Sequence, residues 1–290
     1  MDIEKLKEFI EAFLENQLMR SFVPNPDNHP DVIYKYRNWK DEHHKNLLIK
    51  NELYSATPGS LNDPFDCRIF KNYIKALETE ESKENYISAS LLRNSKYFLE
   101  NNISIGEAES RLRERIADSL HYQIRGEYTH ENLSNKFVGI ICFSEVWNSI
   151  LMWTHYSDSH KGYCVGFDEK RLRLFQDGRL QRVNYSNDYP EIDPLVETKN
   201  SAEIKYFYKS DEWKYEQEIR LMKIFPTDTN QNYTDRRINF DNKLVKEIIL
   251  GLQTEKFAKQ EIIAIAKDKG IPVWQTVKAE FQFKIERYQL

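Results

Sequence analysis

The sequence predicts an α+β protein, and three observations carry that prediction. Short runs rich in β-branched and aromatic residues, such as 32–37, 137–144 and 163–167, read as strands. Helical patterns fall between them unevenly, not in the regular alternation of a doubly wound sheet. One long block, residues 70–135, is charged, poor in glycine and periodic at three and four.

The elements follow in order. Ile3, Leu6, Ile10, Phe13, Leu14 and Leu18 form one helical stripe over 2–20, and Pro24 and Pro26 end it. Val32–Arg37 is the first strand, a helix carries Leu47, Leu48 and Ile49, and Leu53–Ala56 is a second strand. The turn formers of 58–64 follow. Within 70–135, Ser104 with Glu107 predicts a capping box, with Gly126 as a stop. Strands are then expected over 137–144, 163–167, 182–185 and 213–224, and a helix over 148–159. Residues 194–210 are mixed and partly helical. A strand at 246–250, a helix at 254–269 stopped by Gly270, a strand at 273–276 and a terminal strand with Phe281, Phe283 and Ile285 in alternation complete the chain. The organisation is an N-terminal helix and linker over 1–26 and a single domain over 27–290 that carries the helical insertion 70–135.

Composition excludes several classes. The 290 residues hold 42 Lys and Arg against 46 Asp and Glu, a formal charge of −4, which argues against wholesale coating of nucleic acid. Three cysteines, Cys67, Cys142 and Cys164, are too few and too scattered for a disulfide framework or a zinc ribbon. No apolar run approaches the ~20 residues of a membrane span, and the first residues lack a leader pattern. A soluble, cytoplasmic protein without membrane partners is the expectation. Glycine is scarce, 9 residues, and neither a GxGxxG nor a Walker loop occurs.

Five segments carry candidate chemistry. On a strand, Glu216, Glu218 and Arg220 would share one face, where neighbouring carboxylates repel unless a cation such as Arg220 is near. The plainer alternative is a solvated salt bridge. Ser144 ends an apolar strand, at a cleft rim or simply as a helix cap. Trp153, His155, Tyr156 and His160 crowd one short stretch, either as a wall for a planar ligand or as aromatic core. The His155–His160 spacing is one residue too long for a zinc pair. In Tyr34–Arg37 the two tyrosines alternate with Lys35 and Arg37, and a guanidinium there can fork onto phosphate or carboxylate. Asn62 and Asp63 lie in Asn-Asp-Pro-Phe-Asp, which a tight turn also explains.

These segments stand in an order that resembles a bacterial family known as domain of unknown function 2971. The motifs are Tyr-Lys-Tyr-Arg at 34–37, Asn-Asp-Pro-Phe-Asp at 62–66, Cys-Phe-Ser-Glu at 142–145, Leu-Met-Trp-Thr-His-Tyr at 151–156, His160 to Asp168, and Trp213-x-x-Glu216-x-Glu218-x-Arg220. The same string resembles, more distantly, the arginine-serine-glutamate branch of the ADP-ribosyltransferases. Arg37, Ser144 and Glu216-x-Glu218 match in type and order; the usual Ser-Thr-Ser reads Ser144-Glu145-Val146 here, and the insertion is large. The resemblance implies a split β-sheet core with flanking helices, and NAD as substrate with no metal.

Breaking the nicotinamide–ribose bond develops positive charge on the sugar. Under the resemblance Glu218 would stabilise that charge, Glu216 would act on an acceptor, Arg37 would hold phosphate or ribose, and Ser144 would orient Glu218. Tyr36, Trp153 or Tyr156 would stack on nicotinamide, and His155, His160, Asn62 and Asp63 would complete the NAD site. Arg37, Ser144 and Glu218 should then line one cleft. A toxin or antiphage role is implied by the resemblance alone, and the acceptor of the ADP-ribose stays open: protein, nucleic acid or water. Two alternatives stand beside this enzyme. One is a non-catalytic nucleotide- or partner-binding module, a sensor or antitoxin on a degenerate transferase fold. The other is a metal-dependent hydrolase or nuclease using Asp63, Asp66, His155, His160 and Glu218. The insertion is a candidate surface for a partner protein.

Overall fold

In the computed structural model the described residues are 29–175, 178–195, 201–225 and 236–290. The helix expected over 2–20 lies outside them, as do residues 196–200 of the mixed segment. The chain is α+β. Strand β1 (Val32–Arg37) is followed by helix α1 (Glu42–Ile49), whose start is fixed by Asp41 accepting from His43 and His44 amides. Strand β2 (Glu52–Tyr54) and a 3₁₀ turn at Pro58–Ser60 lead into the insertion: α2 (Tyr73–Ala76), α3 (Glu80–Arg93), α4 (Ser95–Glu100), α5 (Ile105–Ile116) and α6 (Ser119–Phe137). Strand β3 (Val138–Ser144), α7 (Ile150–Tyr156), β4 (Tyr163–Asp168), α8 (Glu169–Phe175), β5 (Arg179–Arg182) and β6 (Asn184–Ser186) come next. Then α9 (Ser201–Phe207), β7 (Tyr208–Ser210), β8 (Glu218–Ile224), β9 (Arg237–Asn239), β10 (Val245–Leu250), α10 (Lys256–Asp268), β11 (Val273–Lys278) and β12 (Ile285–Gln289).

Among the described residues the main sheet has eight strands in the order β12-β11-β10-β4-β1-β3-β8-β5, with β2-β9 and β6-β7 as separate pairs. All its described pairings are antiparallel except β10 with β11. The sheet is tight on both sides of its centre and loose at the centre itself. β1 pairs with β4 from Val32↔Asp168 to Arg37↔Tyr163, and β3 with β8 from Val138↔Ile224 to Ser144↔Glu218. Between β1 and β3 one register pair remains, Tyr34↔Ser144. Lys35 fills the opening: its Nζ donates to the Cys142 carbonyl at 2.7 Å and lies 5.3 Å from the Phe143 ring centre.

One face of the sheet packs Ile33, Ile141, Phe143, Ile219, Leu221 and Ile248 into the largest apolar cluster, closed by Leu47 and Leu48 of α1 and Ile262 and Ala266 of α10. Burying each such large side chain contributes roughly 1.5–3 kcal/mol. The other face divides into two smaller clusters, Tyr34, Tyr36 and Trp153 around β1, and Val138, Ile140, Tyr206 and Met222 around β3 and β8. The polar motif residues gather on this second face.

The insertion has its own core of Leu77, Tyr86, Ile87 and Ile116, joined by Tyr73 and Tyr122. The periodic stretch after Ser104 is two helices, because Asp118 caps a new one by accepting from the His121 amide. Gly126 does not stop it; the helix runs on to Phe137. Glycine suits that position because a Cβ there would come within 2.8 Å of the Tyr73 ring. Ser104 caps as expected, accepting from the Glu107 amide, but the Glu107 carboxylate pairs with Arg111. The strand expected at 182–185 is two short ones, β5 and β6, with Val183 between them. Phe281 and Phe283 lie in the turn before β12, fully exposed, with Phe281 at φ 54°. No helix of the described residues is long and apolar enough to cross a membrane.

Candidate functional site

Five charged side chains, Asp66, Lys209, Glu216, Glu218 and Arg220, meet on the second face, drawn from two strands and two turns. Arg220 on β8 forks twice. Its Nε and Nη2 donate to Glu218 at 2.8 and 2.9 Å, and its Nη1 and Nη2 donate to Asp66 at 2.9 Å each. Nη1 also donates to the Tyr206 carbonyl at 2.7 Å, so all five of its N–H donors have acceptors. Lys209 on β7 donates to Glu216 at 2.6 Å and stands 3.6 Å from both Asp66 and Glu218. All five are buried; Arg220 is fully so and Lys209, the least buried, is 8 % exposed.

Local backbone explains the convergence. The strand expected over 213–224 begins only at Glu218, because Asp211–Glu216 is a 3₁₀ helix. Gln217 joins them in a left-handed conformation, φ 43°. Glu216 and Glu218 thus reach the same Lys209 without sharing a strand face. Two contacts hold this junction: the Ser144 hydroxyl donates to the Glu216 carbonyl at 2.6 Å, and the Tyr185 hydroxyl accepts from the Glu218 amide at 2.9 Å.

The two carboxylates titrate in opposite directions. Burial raises Glu216, and repulsion from Glu218 adds to that against the pull of Lys209. Burial also works to raise Glu218, but the Arg220 charge and its hydrogen bonds outweigh it and bring the group down to about 2. Lys209 is raised: burial opposes its charge, and the three carboxylates override burial.

The network reaches solvent through Glu216. The Tyr156 hydroxyl donates to Glu216 and accepts from the exposed Asn62 amide at 3.4 Å. Half-buried Tyr156 is flanked by exposed His155 at 6.4 Å between ring centres, His155 by Tyr215 at 6.1 Å, and Tyr215 by Trp213 at 6.1 Å. The Trp213 ring lies 4.5 Å from Lys209 Nζ. A row of rings therefore borders the Tyr156 side of the charged cluster.

The structure brings Glu216, Glu218, Ser144, Tyr156 and Asn62 together, with His155 at the rim. It does not bring Arg37. Alternation puts Arg37 and Lys35 on the face of Ile33, whereas Glu218 shares the opposite face with Ser144. Burial lowers Arg37, with Tyr163 as its leading charge neighbour. Ser144 bonds the backbone of Glu216 and not the Glu218 carboxylate. Tyr36 and Trp153 are core: their rings meet edge to face at 5.1 Å and both are buried. His160 stacks on the inner Trp153 ring at 6.2 Å. Asp63 closes a turn by accepting from the Phe65 amide. Among the described residues no three His, Cys, Asp or Glu side chains form a set that could hold a metal ion.

Sequence reasoning missed Lys209 as a member of the site and offered Asp66 only to the metal-dependent alternative. Asp66 ends a quoted motif whose first aspartate already satisfies the turn, which left the second without a local partner. Lys209 follows the aromatic run Tyr206-Phe207-Tyr208. A lysine beside such a run signals a buried cation that needs an anion.

Residues 152–221 match the family described as protein of unknown function (DUF2971). That match supports the kinship carried by the motifs and includes Tyr156, Lys209, Glu216, Glu218 and Arg220. No curated protein and no solved structure matches the chain.

Proposed function

We propose that this chain is a nucleotide-binding module of the NAD class on a transferase-like sheet, with its ligand at the Tyr156 mouth. The observation that carries the reading is the ring row of exposed His155 and half-buried Tyr156, Tyr215 and Trp213 beside Glu216, set against a Glu218 held by Arg220. A carboxylate forked by Arg220 and buried cannot meet a ribose without breaking those bonds. The transferase-like sheet is supported by strand order, since β1, β3 and β8, which carry Arg37, Ser144 and Glu218, are neighbours. The test is calorimetric titration with NAD, alongside an assay for nicotinamide release in cell lysate. Binding that Tyr156→Ala weakens at least about tenfold, without release of nicotinamide, supports the module. Absence of binding refutes it.

A second reading, NAD cleavage, is favoured by the carboxylate pair. Burial raises Glu216 while Arg220 holds Glu218 at about 2, and two carboxylates whose surroundings push them apart are the kind of pair that glycosidic cleavage uses. Nicotinamide release abolished by Glu218→Gln in a folded protein would establish this reading and replace the first.

A further inference from the structure

We infer that the free edge of the main sheet pairs with a second copy of this chain, β12 of one copy lying antiparallel beside β12 of the other with the two-fold axis at Arg287. The inference stands apart from the nucleotide reading and concerns the sheet edge farthest from β5.

The edge is open by its hydrogen-bond pattern. Among the described residues β12 is the last strand of the sheet and has β11 as its neighbour. The Lys284 carbonyl accepts from the Ala279 amide at 3.0 Å, and the Leu290 amide donates to the Val273 carbonyl at 2.9 Å. In an antiparallel ladder such pairs alternate with pairs that do not bond each other. The even-numbered residues of the strand therefore bond β11, and the N–H and C=O groups of Ile285, Arg287 and Gln289 point away from it. A copy centred on Arg287 sets Arg287 against its own equivalent and Ile285 against Gln289. These pairs exchange about six backbone hydrogen bonds.

Charge commonly guards such an edge. Here the guard is turned inward. Arg287 donates to Glu247 at 2.7 Å and lies between the Trp147 and Trp274 rings, 4.4 and 4.6 Å from their centres. Its equivalent across the axis is neutralised in the same way, so the two do not repel. Lys284 pairs with Glu286 of its own chain at 3.2 Å. Across the axis Lys284 faces Leu290 and Glu286 faces Tyr288, so neither meets its like.

The turn before β12 supplies apolar area. Phe281 and Phe283 are fully exposed, and Phe281 is held at φ 54°, a left-handed conformation that a bulky residue rarely takes. Tyr288 and Leu290 are each 48 % exposed. The pairing sets the Lys284 end of each copy against Leu290 of the other, so the turn with its two rings reaches the second copy. Two rings supply roughly 300–500 Å² per copy. The strand, with Tyr288 and Leu290, brings the total toward the ~800 Å² per partner of a stable interface.

Sedimentation velocity of the full chain across about 1–100 μM, read together with amide hydrogen exchange, tests the inference. The expected result is a species of twice the chain's mass that dissociates on dilution. In it the Ile285, Arg287 and Gln289 amides exchange at least about tenfold more slowly than in dilute protein, while those of Glu286, Tyr288 and Leu290 are unchanged. Gln289→Pro removes one outward N–H and no bond to β11, and should raise the dissociation constant at least about tenfold. Phe281→Ser combined with Phe283→Ser should do the same. Both of those rings are exposed, so this second variant decides the matter if the proline variant does not fold. A chain that stays monomeric throughout overturns the inference and leaves the edge to a strand of another protein. So does a dimer whose odd-numbered amides exchange freely, or one that either folded variant leaves unchanged.

Discussion

In the helical insertion Arg113 holds Glu84 and Glu109, and in the sheet Arg220 holds Glu218 and Asp66. Both are one guanidinium between two carboxylates. The surroundings differ: Arg113 is 43 % exposed and its partners 50 % and 38 %, whereas Arg220 is 0 % exposed and its partners 2 % and 3 %. Water and salt screen the first, so it adds little stability. In the second, each group has surrendered its hydration and depends on the others. Identical chemistry is decoration in one place and a constraint on the fold in the other.

The largest expected effect comes from breaking the buried side of that comparison. Arg220→Met leaves Asp66 and Glu218 buried without their fork, and should cost roughly 3–5 kcal/mol in urea unfolding. A loss under about 1 kcal/mol would show that water reaches the cluster and that the two regions are alike. Lys209→Met comes next, since among the described residues it removes the cation that Glu216 touches. In a double-mutant cycle with Glu216→Gln the two changes should couple by about 1 kcal/mol or more. Additive effects would place Lys209 outside the cluster's energetics.

The pH dependence of unfolding sharpens the contrast further. Glu218 sits at about 2 when folded against 4.5 normally. Stability from it is present above 4.5 and is lost as pH falls toward 2. His130 is brought down to about 3 by burial, chiefly, and by Lys205 and Lys71, so its loss begins already below 6.5. Lys35 works on the alkaline side. Burial and Arg37 lower it to about 7 from 10.5, so between those values the unfolded chain binds the proton more readily. Its contribution therefore rises with pH from 7 to 10.5. Lys35→Met should flatten that alkaline rise and leave the acid limb intact; an unchanged slope would relieve Lys35 of the role. The smallest effect belongs to the insertion: Arg113→Ala should change stability by no more than about 0.5–1 kcal/mol, an effect that salt suppresses.

Much of the fold was legible because periodicity reports burial. β1 was predicted to the residue, and the insertion is helical as its period of three and four predicts, although Ile105, Leu120 and Ile124 of that stripe are exposed. What failed failed locally. Gln217 adopts a left-handed conformation that glutamine rarely takes, so the alternation rule carried Glu216 onto a strand it does not join. Gly126 looked like a stop because glycine commonly ends helices, and only the Tyr73 ring packed against it gives glycine another reason to be there. Arg37 was already on the opposite face from Tyr34 and Tyr36 by alternation alone; sheet order revealed which face Glu218 occupies.

The amino-acid pattern by itself determined the α+β class, the place of the insertion and the motif segments from which the site is built, since each depends on neighbours a few residues apart. Tertiary structure decided which buried carboxylate is linked outward through Tyr156 and Asn62 and which is held by Arg220 alone with Lys209 nearby. It brought Asp66 to Arg220 across 154 positions and set Lys209 among three acids. Charge and desolvation act through space, and no local pattern encodes the distance between groups that far apart in the chain.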